Sequence, residues 1–520
     1  MTITTTTTGI KPTFTLGGEA AAATVLKRAR LGNSTEDISY NRAGVLAGQF
    51  IILDGYDVLR LPPAGVGGGP QKLFDVRGLA VTGAPRGIAF LESERLFVLN
   101  DLRRRSTLLL ADIKGRAAGE RTIQYPARFA PDQVEGLDAV AAPSLTGSTS
   151  EMLVLSALRF TPTLRSRLEL LVRSGDSYRT SGDIVPAEPL GSSFVAGAAF
   201  RSGSARLREG GFVVSGDDFV HLLDPAGNIL RSVQIPEAIS VEGVAETETG
   251  LIYAADVAAG RLFALGQRLN RTPRFDIDYR IGFGLFSPLG LAWDAGAQRH
   301  LVLSTSAATG TPQVASVSPA LDAAERFIDL AALSFPRGRR MAYIADERLL
   351  AVAHQRTPRA ILLFDPKGRL AQTIDVSAAG SPSALAYIPS TREFAVRVTE
   401  AGLATVLFIY SRDGQLTRKV DLSATGLTSI VALTHFGAPR GDFGAGRFLV
   451  LDGPLTNADP VTNRAVVTDL DGNLLSEFDT RKRLGVLNPG DVAEITTGEN
   501  AGALSIIDRS SNELVVFGLN

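Results

Sequence analysis

The sequence predicts an all-β protein: a single closed β-propeller of eight or nine four-stranded blades, preceded by an extended N-terminal arm. Three observations carry the prediction. A unit of strand, tight turn, strand, loop and strand, spelled most clearly over residues 360–390, recurs along the chain. Its apolar residues alternate with period two on either side of an Asp-x-x-Gly turn, which is the pattern of half-buried strands joined by turn chemistry. The turn glycines are evenly spaced: Gly368 and Gly414 lie 46 residues apart, and Gly227 and Gly368 lie 141 apart, three steps of 47. A fixed period of this length means an array of similar units, and short strands without intervening helices make that array a propeller.

Taken in order, residues 1–42 form a Thr-rich, β-prone arm, with Glu19 to Leu31 expected as a short basic helix. Residues 43–71 hold a hairpin turning at Asp54-Gly55 and a Gly-rich linker that lacks the Lys-Ser/Thr ending of a phosphate loop. The propeller spans 72–520. Its innermost strands are entered at Arg86, Glu135, Ser193, Glu242, Leu289, Arg339, Ser383, Thr428 and Gly490. Nine entries stand if all are equivalent, and eight if the one at Glu135 is an insertion. The last unit ends after its third strand, so the lone strand at Lys72 to Thr82 is expected to pair with Leu514 to Phe517 and close the ring, leaving no open edge.

Composition excludes several classes. Of 520 residues, 45% are hydrophobic and 21% charged, the balance of an ordinary globular protein. A net charge of −1 gives no electrostatic argument for nucleic acid or an anionic membrane. With no Cys, disulfides, thiolate nucleophiles and Cys-bound zinc are ruled out. No run approaches the ~20 apolar residues of a membrane span. A basic stretch followed by an apolar core is missing from the N-terminus, which favours the cytoplasm or an assembled particle over secretion. The Ala, Gly and Arg richness reads as the codon bias of a GC-rich bacterium.

The residue before each innermost strand points toward one end of a propeller's channel. Arg86, Glu135, Glu242 and Arg339 are the charged members of that set and form the expected binding residues, Arg being suited to an anionic group. The alternative, that they pair with one another around a solvated pore, stays open. No catalytic residue is assigned, since neither a Gly-x-Ser-x-Gly elbow nor a His-Glu-x-x-His occurs. Trp293 is expected to pack between blades, and Arg103, Arg104 and Arg105 read as a solvated turn.

The stretch Val241 to Leu265, with its Glu-Gly entry, Leu-Ile-Tyr strand and following Asp256, resembles single blades of NHL-repeat and gluconolactonase-like propellers. For the lactonases, the resemblance implies a calcium on the axis, held by Glu242-like and other carboxylate or Asn positions. The chain departs from that pattern: only Glu135 and Glu242 are acidic among the entries, against the about 6–8 oxygens calcium takes. Asp469-Leu-Asp471-Gly472-Asn473 is similar to a calcium loop but occupies the ordinary turn of the repeat. No cofactor is therefore expected. His221, His300, His354 and His435 match in number the iron ligands of carotenoid oxygenases, yet they fall at different strand positions and are not expected to converge.

The functional expectation is a non-catalytic binding or scaffold propeller. Its partners would be other protein subunits, including its own copies, engaged through residues 1–42. The alternative is a hydrolase or lyase acting on a sugar, lactone or phosphoester at the channel mouth. Fold alone does not choose between them.

Overall fold

In the computed structural model, the described residues are 23–519 apart from 43, 63–68, 80, 82–84, 102–103, 126–130, 132, 141–151, 160–164, 185–196, 202–210, 307–310, 331–337, 356–358, 400–403, 438–445 and 453–462. Their architecture is almost wholly β, built from small antiparallel sheets. Ten units of four strands can be followed along the chain, numbered here by their first strands: Thr35–Asn41, Pro85–Leu91, Gln133–Val140, Gly197–Arg201, Val241–Glu246, Leu285–Asp294, Gly338–Ile344, Pro382–Ile388, Ile430–Phe436 and Pro489–Glu494. Sheets two and three join edge to edge where Ser177–Arg179 run parallel to Thr122–Gln124. No described helix is long and apolar enough to cross a membrane.

The nine expected entries correspond to sheets two to ten, the entry at Ser193 itself lying outside the described residues. The tenth unit, sheet one, runs from Thr35 to Asp75, where the sequence suggested an arm, a hairpin and a closing strand. Its first strand, TEDISYN, has every residue buried although most are polar. Hydrophobic periodicity therefore did not reveal it.

Packing then divides the units into two rings rather than one. First strands of sheets one to five pack side by side in order, with sheet five returning to sheet one. Sheets six to ten do the same, with sheet ten returning to sheet six. The cores record both closures. Ile38, Phe50 and Ile52 of sheet one pack on Tyr253 and Ala255 of sheet five, while Val516 and Ile507 of sheet ten pack on Leu291 and Val302 of sheet six. Apolar burial at about 25 cal/mol per Å² favours sealing every such face, and each ring closes with its fifth interface.

The closing strand also differs from expectation. Gln71–Asp75 is the outer strand of sheet one and pairs with Asp57–Arg60. The strand that pairs with Glu513–Leu519 is Ala23–Arg30, with Val25 opposite Phe517 and Ala29 opposite Leu514. The expected helix over Glu19 to Leu31 is thus a strand from Ala23 onward. Exposure alternates along Ala23–Arg30, with Thr24, Leu26 and Arg28 exposed and Val25, Lys27 and Ala29 partly buried, as suits an outer strand with one face in solvent.

The Asp-x-x-Gly turns are consumed locally. Asp365 Oδ1 accepts the Lys367 and Arg369 N–H groups at 2.9 Å each. Asp469 Oδ1 likewise accepts those of Asp471 and Asn473, while its Oδ2 takes the Asn473 amide at 2.7 Å. The calcium-like loop is therefore an Asx turn, and its carboxylate is already engaged.

Two chain segments cross between the rings, Leu31 to Ser34 and Tyr279 to Gly284, and they interlock. Phe283 and Leu285 both donate to the Leu31 carbonyl, and Ile281 donates to Asn33 Oδ1 at 2.9 Å. Buried Asp54 gathers the crossing: it accepts from Ser34 N, Asn33 Nδ2 and Thr35 Oγ1 and pairs with Arg30. Glu513, at the far end of the chain, binds Arg28 at 2.6 Å and Arg77 at 2.5 Å. Backbone contact leaves no room for a side chain at Gly32, where a Cβ would lie 2.3 Å from the Leu285 carbonyl oxygen. Gly32→Ala is expected to cost ~1–3 kcal/mol by overpacking, read as a lower urea midpoint. An unchanged midpoint would mean that the crossing is slack.

Candidate functional site at the axis of the first ring

Each first strand but that of sheet four enters its sheet through a β-bulge, as between Pro85 and Gly87 or Val241 and Gly243. The bulge puts two residues against one and re-aims the side chain at the entry. In the first ring this brings together Glu36 of sheet one, Arg86 of sheet two and Glu242 of sheet five. Arg86 Nη1 donates to Glu36 Oε2, and Ser34 Oγ donates to Glu36 Oε1 at 3.3 Å. Ser240 Oγ donates to Glu242 Oε1 at 3.0 Å.

Burial raises the pKa of Glu36 and Arg86 opposes the rise. Glu242 is pushed up to about 7, first by burial, with Arg86 pulling it down and the neighbouring Glu36 pushing it further up. A carboxyl balanced near neutrality can hold or release a proton, and the adjoining guanidinium can orient an anionic oxygen.

Beneath this cluster lies a group that sequence reasoning missed. Asp37, one residue beyond Glu36, is fully buried on the axis. Its Oδ2 accepts Ile88 N at 3.0 Å and Leu137 N at 2.9 Å, and its Oδ1 accepts Ile38 N at 2.9 Å, so one carboxylate ties sheets one, two and three. The second ring repeats the device: Asp491 of sheet ten accepts Leu291 N of sheet six at 2.8 Å and Met341 N of sheet seven at 3.4 Å. There the axis is also crossed by Arg340, which donates to the carbonyls of Leu289 and Val431 and stands 3.9 Å from Asp491 Oδ1. The matching position of the first ring is Gly136, so Asp37 has no such arginine. The signal was present in the sequence as Asp37-Ile-Ser-Tyr against Asp491-Val-Ala-Glu, an Asp placed alike as the third residue of a first strand.

Of the four expected binding residues, Arg86 and Glu242 meet, Glu135 lies on a first strand of the same ring, and Arg339 lies on sheet seven of the other ring. The side chains of Glu135 and Arg339 fall outside the described residues. One channel mouth shared by all four is therefore replaced by two separate axes, because five sheets close each ring.

Calcium does not fit the first axis, since Arg86 places a guanidinium against the carboxylate of Glu36. Among the described residues, no three His, Asp or Glu side chains assemble as a metal site. The histidines are dispersed over sheets four, six, seven and nine. His221 Nδ1 meets Ser232 Oγ at 2.7 Å, His300 lies edge-on to Trp293, and His435 lies edge-on to Phe448. Burial depresses all three to about 4.

No protein-family model matches the chain, and no curated protein matches its sequence.

Glu242→Gln separates the charge of the site from its packing. Glu242 titrates near 7 in the folded chain against 4.5 as its ordinary value, so the folded state binds the extra proton between these limits and stability falls as pH rises through them. The variant, which carries no charge to bury, is expected to gain stability relative to wild type from pH 4.5 to 7 and to hold that gain above pH 7. Melting curves at pH 5 and 8 measure it. Equal differences at the two pH values would place Glu242 in solvent.

Proposed function

We propose that the two rings are a tandem pair of five-bladed β-propellers with NHL-like blades, serving as a non-catalytic binding and scaffold protein within a larger assembly of subunits, its own copies included. The observation supporting this reading is the outer wall of the second ring. Leu370, Leu416, Leu475 and Leu26 are exposed on the outer strands of four successive sheets, seven to ten, each at or beside the bulge of its strand. Single exposed leucines are commonplace, but one on each of four neighbouring outer strands, Leu370 and Leu416 in one register and Leu475 and Leu26 one residue further along, offers a partner repeated apolar contacts. The bulges disfavour simple strand addition at these edges, so side chains would carry the contact. Residues 1–22, outside the described region, are the part of the arm left to assist it, because Ala23 onward is built into the rings.

Sedimentation of the full chain tests the reading. Association in the wild type that is lost in Leu370→Lys/Leu416→Lys supports it, whereas a wild type that sediments as a monomer with no partner bound refutes it.

A second reading, a hydrolase or lyase acting on a sugar, lactone or phosphoester, is favoured by Glu242 near neutrality beside Arg86. Turnover of a lactone panel by the wild type, abolished in Glu242→Gln without loss of fold, is the result that would establish it.

A further inference from the structure

The axis of the second ring holds a cavity of about 790 Å³ at the end where first strands turn back into second strands, with the Arg340 and Asp491 pair on its strand-entry side. That volume is within the about 300–1,000 Å³ of small-molecule sites. All five sheets of the ring contribute to its wall. Trp293, Tyr343 and Tyr387 line it from matching positions on sheets six, seven and eight, the third residues of Leu-Ala-Trp, Met-Ala-Tyr and Leu-Ala-Tyr. Its described charged lining is Asp346 and Glu494, both acidic, with no Lys or Arg among the lining residues. Glu494 Oε2 is oriented by the Gly437 N–H at 3.0 Å, and Asp346 has Arg392 3.8 Å away. His435, also in the wall, is buried neutral and adds no positive charge.

We infer that this cavity binds a small organic cation carrying an aromatic or apolar body. Aromatic walls accept the body, and aromatic rings and carboxylates together favour positive charge over negative. The inference is independent of the assembly reading, because it concerns the axis rather than the outer wall.

The test uses the full chain, whose single tryptophan is Trp293, so intrinsic emission reports on this cavity. Phenethylamine, 2-phenylethanol and phenylacetate share a body and differ in charge. A saturable change in Trp293 emission is expected with phenethylamine, roughly tenfold weaker binding with the alcohol and none with the acid over the same range. Glu494→Gln, which keeps an acceptor for Gly437, and Asp346→Asn on the rim should each weaken amine binding several-fold and leave the alcohol unchanged. Equal binding of amine and alcohol, tighter binding of the acid, or no saturable response to any of the three would overturn the assignment.

Discussion

Deleting residues 2–42 is expected to abolish folding, whereas deleting residues 2–22 should leave the melting temperature within a few degrees of wild type. The longer deletion removes two strands from two different rings. Losing Ala23–Arg30 strips the outer strand from sheet ten, unpairing the edge of Glu513–Leu519 together with the ion pair from Arg28 to Glu513. Losing Thr35–Asn41 takes away the first strand of sheet one and with it Asp37, the carboxylate to which sheets two and three are tied. It also opens the interface with sheet five, where Ile38 and Tyr40 are buried. Each ring would be left with an unsealed apolar face. Burying a large apolar side chain is worth ~1.5–3 kcal/mol, against a total stability of about 5–15 kcal/mol for a typical domain, so losing several at once exceeds what a ring can lose. Circular dichroism and limited proteolysis of the two deletions decide the matter. A cooperative transition in the 43–520 chain would show that the rings do not need these strands. The same comparison bears on assembly: any oligomer lost on removing residues 2–22 alone depends on that segment rather than on unfolding.

The repeat was legible because its signals are local. Turn glycines, a turn-closing Asp or Ser (Asp365, Ser411 and Asp469) and alternating strands recur in sheets seven, eight and nine, and nine of the ten units could be aligned on such signals. What was not legible is how many sheets close a ring. Closure depends on which faces meet across long separations, such as Phe50 against Tyr253 or Leu31 against Leu291, and periodicity is silent about that. Sheet one was hidden for a chemical reason. Its first strand carries Thr35, Glu36, Asp37 and Ser39 inside the protein, where hydrogen bonds compensate their burial, and a hydrophobicity pattern has no means of marking such a strand. At the axis, the charged entries Arg86 and Glu242 were readable from alignment. Glu36 and Asp37 were not, because they sit in the unrecognised unit.

Replacing Arg340 by Met is expected to cost ~3–5 kcal/mol at pH 8, the range for removing one partner of a buried ion pair. The guanidinium is buried where it spans the second axis, and its loss leaves the carbonyls of Leu289 and Val431 without their donor as well as leaving Asp491 without its cation. Asp491 is already held up near 7: burial drives the rise, and Arg340 and the Leu291 N–H oppose it. Without Arg340 its pKa must rise further. A carboxyl with a raised folded pKa destabilises the fold once ionised and ceases to do so when protonated. The deficit of Arg340→Met should therefore be largest above the variant's raised pKa and shrink as pH falls to about 7, with little further change down to pH 5, the reverse of the usual acid sensitivity of ion pairs. Adding Asp491→Asn should restore part of the stability at pH 8 and little at pH 5, since the Asn side chain can still accept the Leu291 N–H. Urea unfolding of the wild type, both single variants and the double variant at the two pH values separates the contributions. A deficit that does not change with pH would assign the effect of Arg340 to packing and carbonyl bonding alone, and Asp491 would then be neutral in the native ring at both pH values.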